Sequence, residues 1–324
     1  MLTEKEIETI REGLATATNP LFFYDDDPDG ICSFILLYKM HKAGKGVILK
    51  STPKLDKNML HKVKENTPDK IFVLDIPIVE QEFVDEAKCP IFWIDHHDPL
   101  NLSKVNYYNP RIKDASAYLP TSSMAYQVNA NEEDLWIATV GCLYDWHIPY
   151  FIDRFIEKYP LLLPERKDLK DAVYNQPIGK LVRIISFLLK GSISDVNKCV
   201  KILSRINSPE EILEQQTPQG KYIYKYFEKV NQKYEEHLEQ AKKIATRSKL
   251  LIFYYTENKW SFTADLANEL MNLYPQKIII IARNKSGEMK CSIRAQVNIR
   301  DALEKALVGI KGYGGGHENA CGTA

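Results

Sequence analysis

The chain has 324 residues, more than one hydrophobic core usually supports, and this length predicts two compact units. Its 43 lysine and arginine residues balance its 43 aspartate and glutamate residues, so the formal net charge is zero. That balance excludes a uniformly basic DNA-coating protein and a highly charged disordered chain, but it is compatible with a local basic groove. Hydrophobic residues make up 44% of the sequence and charged residues 27%, the proportions of a folded soluble protein.

The cysteines and the apolar runs indicate a cellular compartment. The six cysteines form no C-x-x-C pair, and their spacing predicts reduced, mostly buried thiols. The first 14 residues are charged and predict an amphipathic helix, not a signal peptide. No uninterrupted apolar run reaches the about 18–20 residues that span a bilayer. We therefore expect a cytoplasmic protein with no membrane partner.

Short apolar strands alternate with helices over the first 145 residues. The predicted helices are residues 3–14, which start with a Thr3–Glu6 capping box, 31–43 and 132–144. The predicted strands are residues 20–24, 47–51, 70–74 and 90–94. This alternation predicts an α/β fold with a doubly wound, mostly parallel sheet, in which a ligand lies beyond the carboxyl ends of the strands.

The remainder of the chain changes in character. Residues 150–245 are helical, rich in lysine and glutamate and without a catalytic cluster, and residues 222–245 predict one long connecting helix. A second, smaller α/β unit begins near residue 249. Its predicted elements are strands 250–255, 277–283 and 288–294, helices 262–273 and 299–307, and a glycine-rich loop at 309–317. We therefore expect an α/β domain at 1–155, a helical region with the long connecting helix at 156–246 and a smaller α/β domain at 247–324.

Four carboxylates follow the first strand within five positions: Asp25, Asp26, Asp27 and Asp29. Carboxylates this close repel one another and hold raised pKa values unless a positive charge lies among them. A hard divalent cation such as Mg²⁺ or Mn²⁺ is the simplest solution, because both prefer oxygen ligands. The alternative is an acidic turn that caps the following helix.

Other strands and one helix also end in acidic or imidazole side chains. Asp75 follows the 70–74 strand, Asp95, His96 and His97 follow the 90–94 strand, and Asp145 follows the 132–144 helix. Taken singly, each has an ordinary alternative as a turn former or a surface loop residue. Taken with the acidic turn, they predict two cations with Asp75 as the bridge, a common arrangement for phosphoryl hydrolysis.

These residues also carry a family resemblance. The sequence resembles the DHH phosphoesterase superfamily at four places, which are Asp27-Pro28-Asp29-Gly30, Asp75, Asp95-His96-His97 and Asp145. It resembles the associated DHHA1 domain at Ser292-Ile293-Arg294 and at Gly314-Gly315-Gly316-His317. The order and spacing cover residues 22–322. Within this group the chain most resembles archaeal RecJ-like single-strand exonucleases, including the helicase-associated type.

The resemblance implies a role for each matching residue. The implied metal ligands are Asp27, Asp29, Asp75 as the bridge, His96 and Asp145. Several relatives carry a histidine four positions before Asp27, where this chain has Phe23, and Asp25 is the candidate substitute. His97 would lie near the substrate phosphate, where it would stabilise charge or protonate the leaving oxygen. Asp95 would orient the two histidines.

A second set of candidates concerns substrate binding. Gly314, Gly315 and Gly316 leave backbone N–H groups open to an anion, and His317 next to them can donate to a phosphate or stack on a base. Arg294 can hold a phosphate with two parallel hydrogen bonds. The alternative for the three glycines is a flexible loop. Arg111 is a further candidate phosphate contact, with a solvated arginine as its alternative.

The function that these residues predict is a phosphodiesterase with two Mn²⁺ ions, or Mg²⁺ in their place. Its substrate would be the end of single-stranded DNA or RNA. The resemblance to the DHH superfamily does not fix the direction of cleavage, and the compact archaeal-like form favours 3′→5′ removal of nucleotides. Very short oligonucleotides, a cyclic dinucleotide or a phosphoadenosine phosphate are the alternative substrates, and a catalytically inactive replication or repair scaffold is a third possibility. The resemblance also allows a helicase or replication partner, although no residue specifies one.

Overall fold

The computed structural model describes residues 1–50, 54–244, 247–256, 259–285, 287–310 and 312–324. Contacts divide the chain into two compact units, Met1–Tyr224 and Lys225–Ala324. The division of the chain into three parts at residues 155 and 246 stays a prediction.

A five-stranded parallel sheet forms the centre of the first unit. The strands of this unit are β1 (Pro20–Asp25), β2 (Lys45–Leu49), β3 (Lys54–Leu55), β4 (Lys70–Leu74), β5 (Ile78–Val79), β6 (Ile91–Ile94) and β7 (Asn106–Tyr108). The sheet has the order β2-β1-β4-β6-β7 with every neighbouring pair parallel, and β3 pairs with β5 apart from it. The central strands are buried apolar runs, as expected for a parallel sheet covered on both faces.

Twelve α-helices belong wholly or partly to the first unit among the described residues. They are α1 (Glu4–Ala15), α2 (Pro28–His41), α3 (Leu60–Asn66), α4 (Gln81–Ala87), α5 (Thr121–Asn129), α6 (Leu135–Tyr144), α7 (Ile152–Lys158), α8 (Leu169–Tyr174), α9 (Pro177–Leu188), α10 (Ile193–Leu203), α11 (Pro209–Leu213) and α12 (Pro218–Lys243). The predicted capping box of α1 is present, with Thr3 and Glu6 bonded in both directions. The boundary between the two units falls within α12.

Helices cover both faces of the sheet, which confirms the predicted doubly wound fold. On one face, Phe23 and Trp93 pack in a single core cluster with side chains of α3 and α4. On the other face, Phe22 and Phe72 stack with ring centroids 5.2 Å apart, and Phe34 of α2 packs edge-on against Phe22. The alternation of strand side chains between two cores fixes the register of each strand, because a one-residue slip would exchange the two faces.

The second unit is a smaller α/β domain with a mixed sheet. Its elements are β8 (Leu250–Thr256), α13 (Thr263–Leu273), β9 (Ile278–Lys285), β10 (Glu288–Arg294), α14 (Arg300–Ala306), β11 (Gly314–His317) and β12 (Ala320–Thr323). The sheet order is β11-β12-β10-β9-β8, with β8 and β9 parallel and the other pairs antiparallel. A small apolar cluster forms around Leu303 of α14 and Cys321 of β12.

The structure corrects one sequence prediction, and three predicted positions lie outside the residues that it describes. The predicted loop at 309–317 is wrong in its second half, because residues 314–317 pair with β12 as an edge strand. The three glycines carry no side-chain pattern that would identify a strand, and the pairing with β12 determines their conformation. Three predicted positions, Ser51, Ala245 and Lys311, lie outside the described residues. All six cysteines are free thiols, and by length and apolar content no described helix qualifies as a bilayer-spanning segment.

Candidate metal centre and active site

The register of the parallel sheet gathers three aspartates at one edge. Tyr24 of β1 pairs with Leu74 of β4, and Leu74 pairs with Ile94 of β6. The residues that follow these three are Asp25, Asp75 and Asp95. The strands therefore deliver their carboxylates to neighbouring positions at the carboxyl edge, where ligands bind in folds of this kind.

The acidic turn after β1 brings Asp25 and Asp27 to Asp75. One carboxylate oxygen from each of the three lies within 4.8 Å of the others. Asp27 also caps α2, because its Oδ1 accepts a hydrogen bond from the Gly30 N–H at 2.9 Å. A side chain at Gly30 would place its Cβ 2.8 Å from the Asp25 carbonyl oxygen, so the turn requires a glycine there. Asp27 therefore caps α2 and also presents a carboxylate oxygen to the acidic cluster, so the two interpretations of this residue are compatible.

Asp25 lies in the acidic cluster and Phe23 does not, and the substitution of Asp25 for a histidine ligand stays a prediction. Phe23, at the position where several relatives carry that histidine, is fully buried and packs edge-on against Phe83 in the core. Asp25 instead groups with Asp27 and Asp75 at the sheet edge. Phe23 lies inside β1, where the core encloses its side chain. Asp25 is the last residue of β1 and reaches the edge of the sheet.

His96 lies between the bridging candidate and Asp145. Its Nε2 is 3.3 Å from Asp75 Oδ1 and 3.4 Å from Asp145 Oδ2. Its buried Nδ1 has no hydrogen-bond partner among the described residues. Asp145 is the C-cap of α6, so the end of that helix positions its carboxylate. Imidazole and carboxylate atoms thus converge from three separate segments.

Asp29 has a structural role in addition to its predicted one. It is completely buried, and its two carboxylate oxygens accept hydrogen bonds from the backbone N–H groups of Thr121 at 2.7 Å and Ser122 at 2.9 Å. These N–H groups belong to the first turn of α5, where a carboxylate is favoured by the helix dipole. Asp29 also groups with His96 and Asp145 as possible metal donors. It therefore fixes α5 against the acidic turn.

The pKa values of the clustered carboxylates show that the site favours positive charge. Burial raises the pKa of Asp25 to about 6, and the neighbouring Asp26 charge adds to the rise. Burial and the Asp29 charge raise the pKa of Asp145 to about 6. Burial, followed by the charges of neighbouring aspartates, holds the pKa values of Asp27 and Asp75 well above the usual range. A divalent cation would relieve this repulsion, and the oxygen-rich donor set with one imidazole fits Mn²⁺ or Mg²⁺.

His97 and Asp95 form a hydrogen-bonded pair beside this cluster. His97 Nδ1 is 2.7 Å from Asp95 Oδ1, and the completely buried Asp95 also accepts hydrogen bonds from Tyr107 Oη at 3.2 Å and Asn109 Nδ2 at 3.3 Å. Burial acts to lower the pKa of His97, but the hydrogen bond to Asp95 and the nearby carboxylate charges outweigh it, so the pKa of His97 is raised. The His97 ring is thus held through Nδ1, which leaves Nε2 for a ligand.

The glycine strand of the second unit divides its residues between the two faces of the sheet, with Gly315 and His317 on one face and Gly314 and Gly316 on the other. The pairing places His317, Ala320 and Arg294 in one row across β11, β12 and β10, so their side chains share a face. Gly315, Gly322 and the buried Ser292 form the next row on that face, and Ser292 supplies the side chain of this row. His317 is exposed, and half-buried Arg294 donates from Nε to Asn268 Oδ1 at 2.7 Å.

Two stretches of the chain match known protein families. Residues 21–144 match the DHH family, N-terminal domain, and residues 247–324 match the DHHA1 domain. The chain belongs to the DHH–DHHA1 superfamily. The DHH match includes the acidic turn, Asp75 and the two histidines, and it ends one residue before Asp145. The DHHA1 match includes Arg294 and the glycine strand.

Solved structures share the fold of this DHH–DHHA1 protein at low sequence identity. RecJ from Thermus thermophilus in complex with Mn²⁺ is 14% identical with a TM-score of 0.70, over 99% of this chain and 51% of RecJ. Exonuclease RecJ bound to manganese is 14% identical with a TM-score of 0.63, over 99% and 89% of the two chains. The DHH domain of a protein assigned to a family of ribosomal proteins is 14% identical with a TM-score of 0.65, over 98% and 85%.

These structures show the fold alone, and this chain spans about half the length of the Thermus thermophilus RecJ. No curated protein matches the chain in sequence. The placement of the chain among archaeal helicase-associated nucleases therefore stays a prediction.

Arg111, the predicted phosphate contact of the DHH domain, bonds to other residues than the acidic cluster in its described contacts. Its guanidinium pairs with Asp98 Oδ1 at 2.8 Å and donates from Nε to the Ala115 carbonyl oxygen at 3.2 Å. Both partners lie on the surface loops around β7. Its role as a phosphate contact stays a prediction.

The hydroxyl groups of Tyr118 and Thr121 are part of the site, although the sequence assigned them no role. Tyr118 Oη donates to Asp145 Oδ2 at 2.9 Å, and Thr121 Oγ1 donates to Asp75 Oδ1 at 3.2 Å. In the sequence, residues 117–123 lie between the family motifs at Asp95–His97 and at Asp145. Nothing in the sequence singled out these two hydroxyls, because only the fold brings them to the carboxylates.

Replacing Asp95 with asparagine should weaken catalysis without unfolding the DHH domain. Asp95 Oδ2 accepts from three donors, the His97 N–H, Tyr107 and Asn109, and an asparagine amide would turn a donor toward either these groups or His97 Nδ1. Partners that orient a site histidine are worth about 10–100-fold in activity. We expect kcat on a single-stranded substrate to fall by this amount with little change in KM.

The matched control for this variant is Asp114→Asn. Asp114 is exposed and bonds only locally to Ser116 among the described contacts, so kcat should not change. Equal kcat values for Asp95→Asn and Asp114→Asn would contradict the orienting role of Asp95.

Proposed function

We propose that this protein is a metal-dependent phosphodiesterase that removes nucleotides from an end of single-stranded DNA or RNA. The observation that carries the proposal is the convergence of Asp25, Asp27, Asp75, His96 and Asp145 at the carboxyl edge of the parallel sheet. The similarity in fold to RecJ structures with bound Mn²⁺ and Mg²⁺ supports it.

The donor groups suggest how cations would be held. Asp25, Asp27 and Asp75 form one group of donors, and His96 with Asp29 and Asp145 forms another. Asp75 contributes to the first group and approaches His96 of the second, so it is the candidate bridge. Bound divalent cations would supply Lewis acidity, which activates water and neutralises charge on a phosphate.

The residues around this centre would bind the phosphate and move protons. Asp95 holds the His97 ring by Nδ1, so a protonated His97 would present Nε2–H to a phosphate oxygen or to the leaving oxygen. Thr121 and the first turn of α5 hold Asp75 and Asp29 in place while a substrate binds. A site with rigid carboxylates requires little reorganisation during the reaction.

The DHHA1 domain would hold the nucleotide strand through the sheet face that carries Gly315 and His317. Arg294 and His317 lie on the same face, two strands apart, with only Ala320 between them in that row. The exposed His317 imidazole and the half-buried Arg294 guanidinium are both groups that bind phosphate. The glycines allow the strand backbone to approach β11 closely.

Replacing Gly315 with alanine should weaken substrate binding and leave the fold intact. A Cβ at position 315 would meet no described atom within 4 Å, so only an external molecule would feel it. The loss of a close backbone contact worth about 1 kcal/mol predicts a KM about five- to tenfold higher at an unchanged melting temperature.

The contrasting variant is Gly316→Ala. Gly316 has a φ of +140° and its Cβ would lie 2.4 Å from the Ala320 carbonyl oxygen, so this variant should lower the melting temperature. An unchanged KM for Gly315→Ala would show that substrate does not approach β11 at this position.

The proposed activity is tested by product-resolved digestion of DNA and RNA strands labelled at either end, with Mn²⁺. We expect mononucleotides released stepwise from the 3′ end of long single strands. Cleavage restricted to strands of two to five nucleotides or to cyclic dinucleotides would change the substrate and keep the chemistry. The absence of hydrolysis on every one of these substrates would refute the proposal.

A further inference from the structure

Two large aromatic side chains lie exposed beside the candidate metal centre. Tyr118 is 50% exposed and Trp146 is 42% exposed. Trp146 is the exception among the four tryptophans, because the other three are buried: Trp93, Trp136 and Trp260. Trp146, which directly follows Asp145 in the sequence, therefore leaves much of its side chain exposed to solvent.

Hydrogen bonds place Tyr118 at Asp145, and Trp146 is the next residue in the chain, with its indole centroid 6.2 Å from that of the Tyr174 ring. Tyr118 Oη lies 2.7 Å from the Asp145 carbonyl oxygen and 2.9 Å from its Oδ2, so its single O–H is shared between these two acceptors. That carbonyl belongs to the peptide bond that joins Asp145 to Trp146, so the phenol group lies beside the start of the tryptophan. The Tyr118 ring also packs edge-on against His96, with centroids 5.4 Å apart. Because Asp145 uses the hydroxyl of Tyr118, the remaining exposed part is the face of an aromatic ring.

The backbone at Trp146 is unfavourable for a tryptophan. Its φ is +54°, in the left-handed region that suits glycine or asparagine at the end of a helix. The hydrogen bond from the His147 N–H to the Cys142 carbonyl oxygen, at 2.9 Å, fixes this turn after α6. A strained backbone and an exposed indole both disfavour tryptophan for folding. Strain of this kind at the rim of a site indicates a role in binding.

We propose that Tyr118 and Trp146 form a base-binding subsite, which stacks the nucleobase of the nucleotide whose phosphate lies at the carboxylate cluster. The inference rests on the proposed function and deepens it, because it assigns the side chains that would bind the base of the nucleotide. Aromatic faces stack on any base, so the subsite accepts all four bases of DNA or RNA. One stacked base contributes about 5- to 150-fold in affinity.

The subsite is tested by pairing a protein variant with a modified substrate. The substrates are a five-nucleotide single strand and the same strand with an abasic residue at the end that the protein attacks. Trp146→Leu should lower kcat/KM on the normal strand about 5- to 150-fold and leave kcat/KM on the abasic strand unchanged. Trp146→Phe, which keeps an aromatic ring, should restore most of the activity. The matched control is Tyr254→Leu, because Tyr254 is 52% exposed on β8 and lies in the other unit.

Base recognition is also measurable without turnover. Because Trp146 is the tryptophan that reaches solvent, adenosine monophosphate should quench the protein fluorescence with Mg²⁺ present, whereas ribose 5-phosphate should not. Trp146→Leu should abolish this quenching. An equal loss of kcat/KM on the normal and abasic strands, or the same quenching by both phosphates, would overturn the subsite. A wild-type protein that hydrolyses no strand would refute the proposed function instead, and the quenching result would still decide base binding.

Discussion

Asp75→Asn should abolish hydrolysis while leaving the protein folded. Asp75 approaches His96 and groups with Asp25 and Asp27, so its loss removes the candidate bridge between the donor groups. Charge stabilisation by bound cations is worth several kcal/mol, so we expect kcat to fall about 1,000-fold or more. Digestion of a labelled single strand with Mn²⁺ measures this loss.

Asparagine is the appropriate replacement because the backbone at Asp75 is unusual. Its φ is +60°, a left-handed conformation that asparagine accepts and most residues do not. The asparagine oxygen can still accept the hydrogen bond from Thr121 Oγ1. Without metal, the variant should be at least as stable as the wild type, since one buried repelling charge is gone.

Metal binding provides the second measurement for this variant. A cation that binds only the folded state raises the melting temperature, and Asp75→Asn should lose most of that increase. Asp85→Asn is the control, because Asp85 is an exposed carboxylate of α4 that pairs with Lys104. Asp75→Asn with more than a tenth of the wild-type kcat and a normal Mn²⁺ response would exclude Asp75 from the metal centre.

The part of the site that lies on the strand ends was predictable from the sequence. Apolar runs that stop at Asp25, Asp75 and Asp95 identify the ends of buried parallel strands, and such ends share one edge of a sheet. The prediction required no side-chain detail, because the apolar runs show where each buried parallel strand ends. The helix and strand bounds agree with the structure to within a few residues for the same reason.

The individual tasks of neighbouring acidic residues were not predictable from the sequence. Asp25, Asp26 and Asp29 all lie within two positions of Asp27, yet each has different partners. Asp26 forms an ion pair with Lys50 at 3.2 Å, and Asp29 binds the first turn of α5. A turn directs successive side chains in different directions, and only its dihedral angles determine which carboxylate faces which neighbour.

The glycine segment shows a different limit of sequence reasoning. Gly314, Gly315 and Gly316 carry no side chains, so no hydrophobic pattern distinguishes a strand from a loop. The pairing of β11 depends on β12, which itself pairs with β10 from a distant part of the sequence. A strand that is determined by its neighbour and not by its own residues is visible only in the folded sheet.

Without metal, the protein should lose stability as the pH rises from about 4 to about 6. The ordinary pKa of an unfolded aspartate is about 3.9, whereas Asp25 and Asp145 in the folded protein have pKa values of about 6. The folded state therefore holds its protons more tightly than the unfolded state in this interval, and each deprotonation disfavours it. For Asp25 alone the loss is about 3 kcal/mol once the carboxylate is fully ionised.

Other carboxylates do not mask this trend. Burial acts to raise the pKa of Asp69, but hydrogen bonds from Thr18 and Asn19 outweigh it and the pKa is lowered. Hydrogen bonds from Asn175 and Gln176 lower the pKa of Asp171. The stabilising contribution of both groups is therefore lost only below about pH 4. Urea unfolding in EDTA at pH 4.5, 6 and 7.5 measures the decline, and Mn²⁺ at pH 7.5 should reverse it by binding the ionised carboxylates.

The comparison with Asp75→Asn isolates the contribution of the site. Removing one of the coupled carboxylates weakens the repulsion among the others, so the variant should lose less stability than the wild type over the same pH interval. The difference between the two curves then measures the electrostatic cost that bound cations offset. Identical curves for the two proteins, both insensitive to Mn²⁺, would show that these carboxylates neither repel one another nor bind a cation. A protein that keeps its least favourable charges together at the edge of its sheet gains stability from the same cations that its proposed chemistry needs.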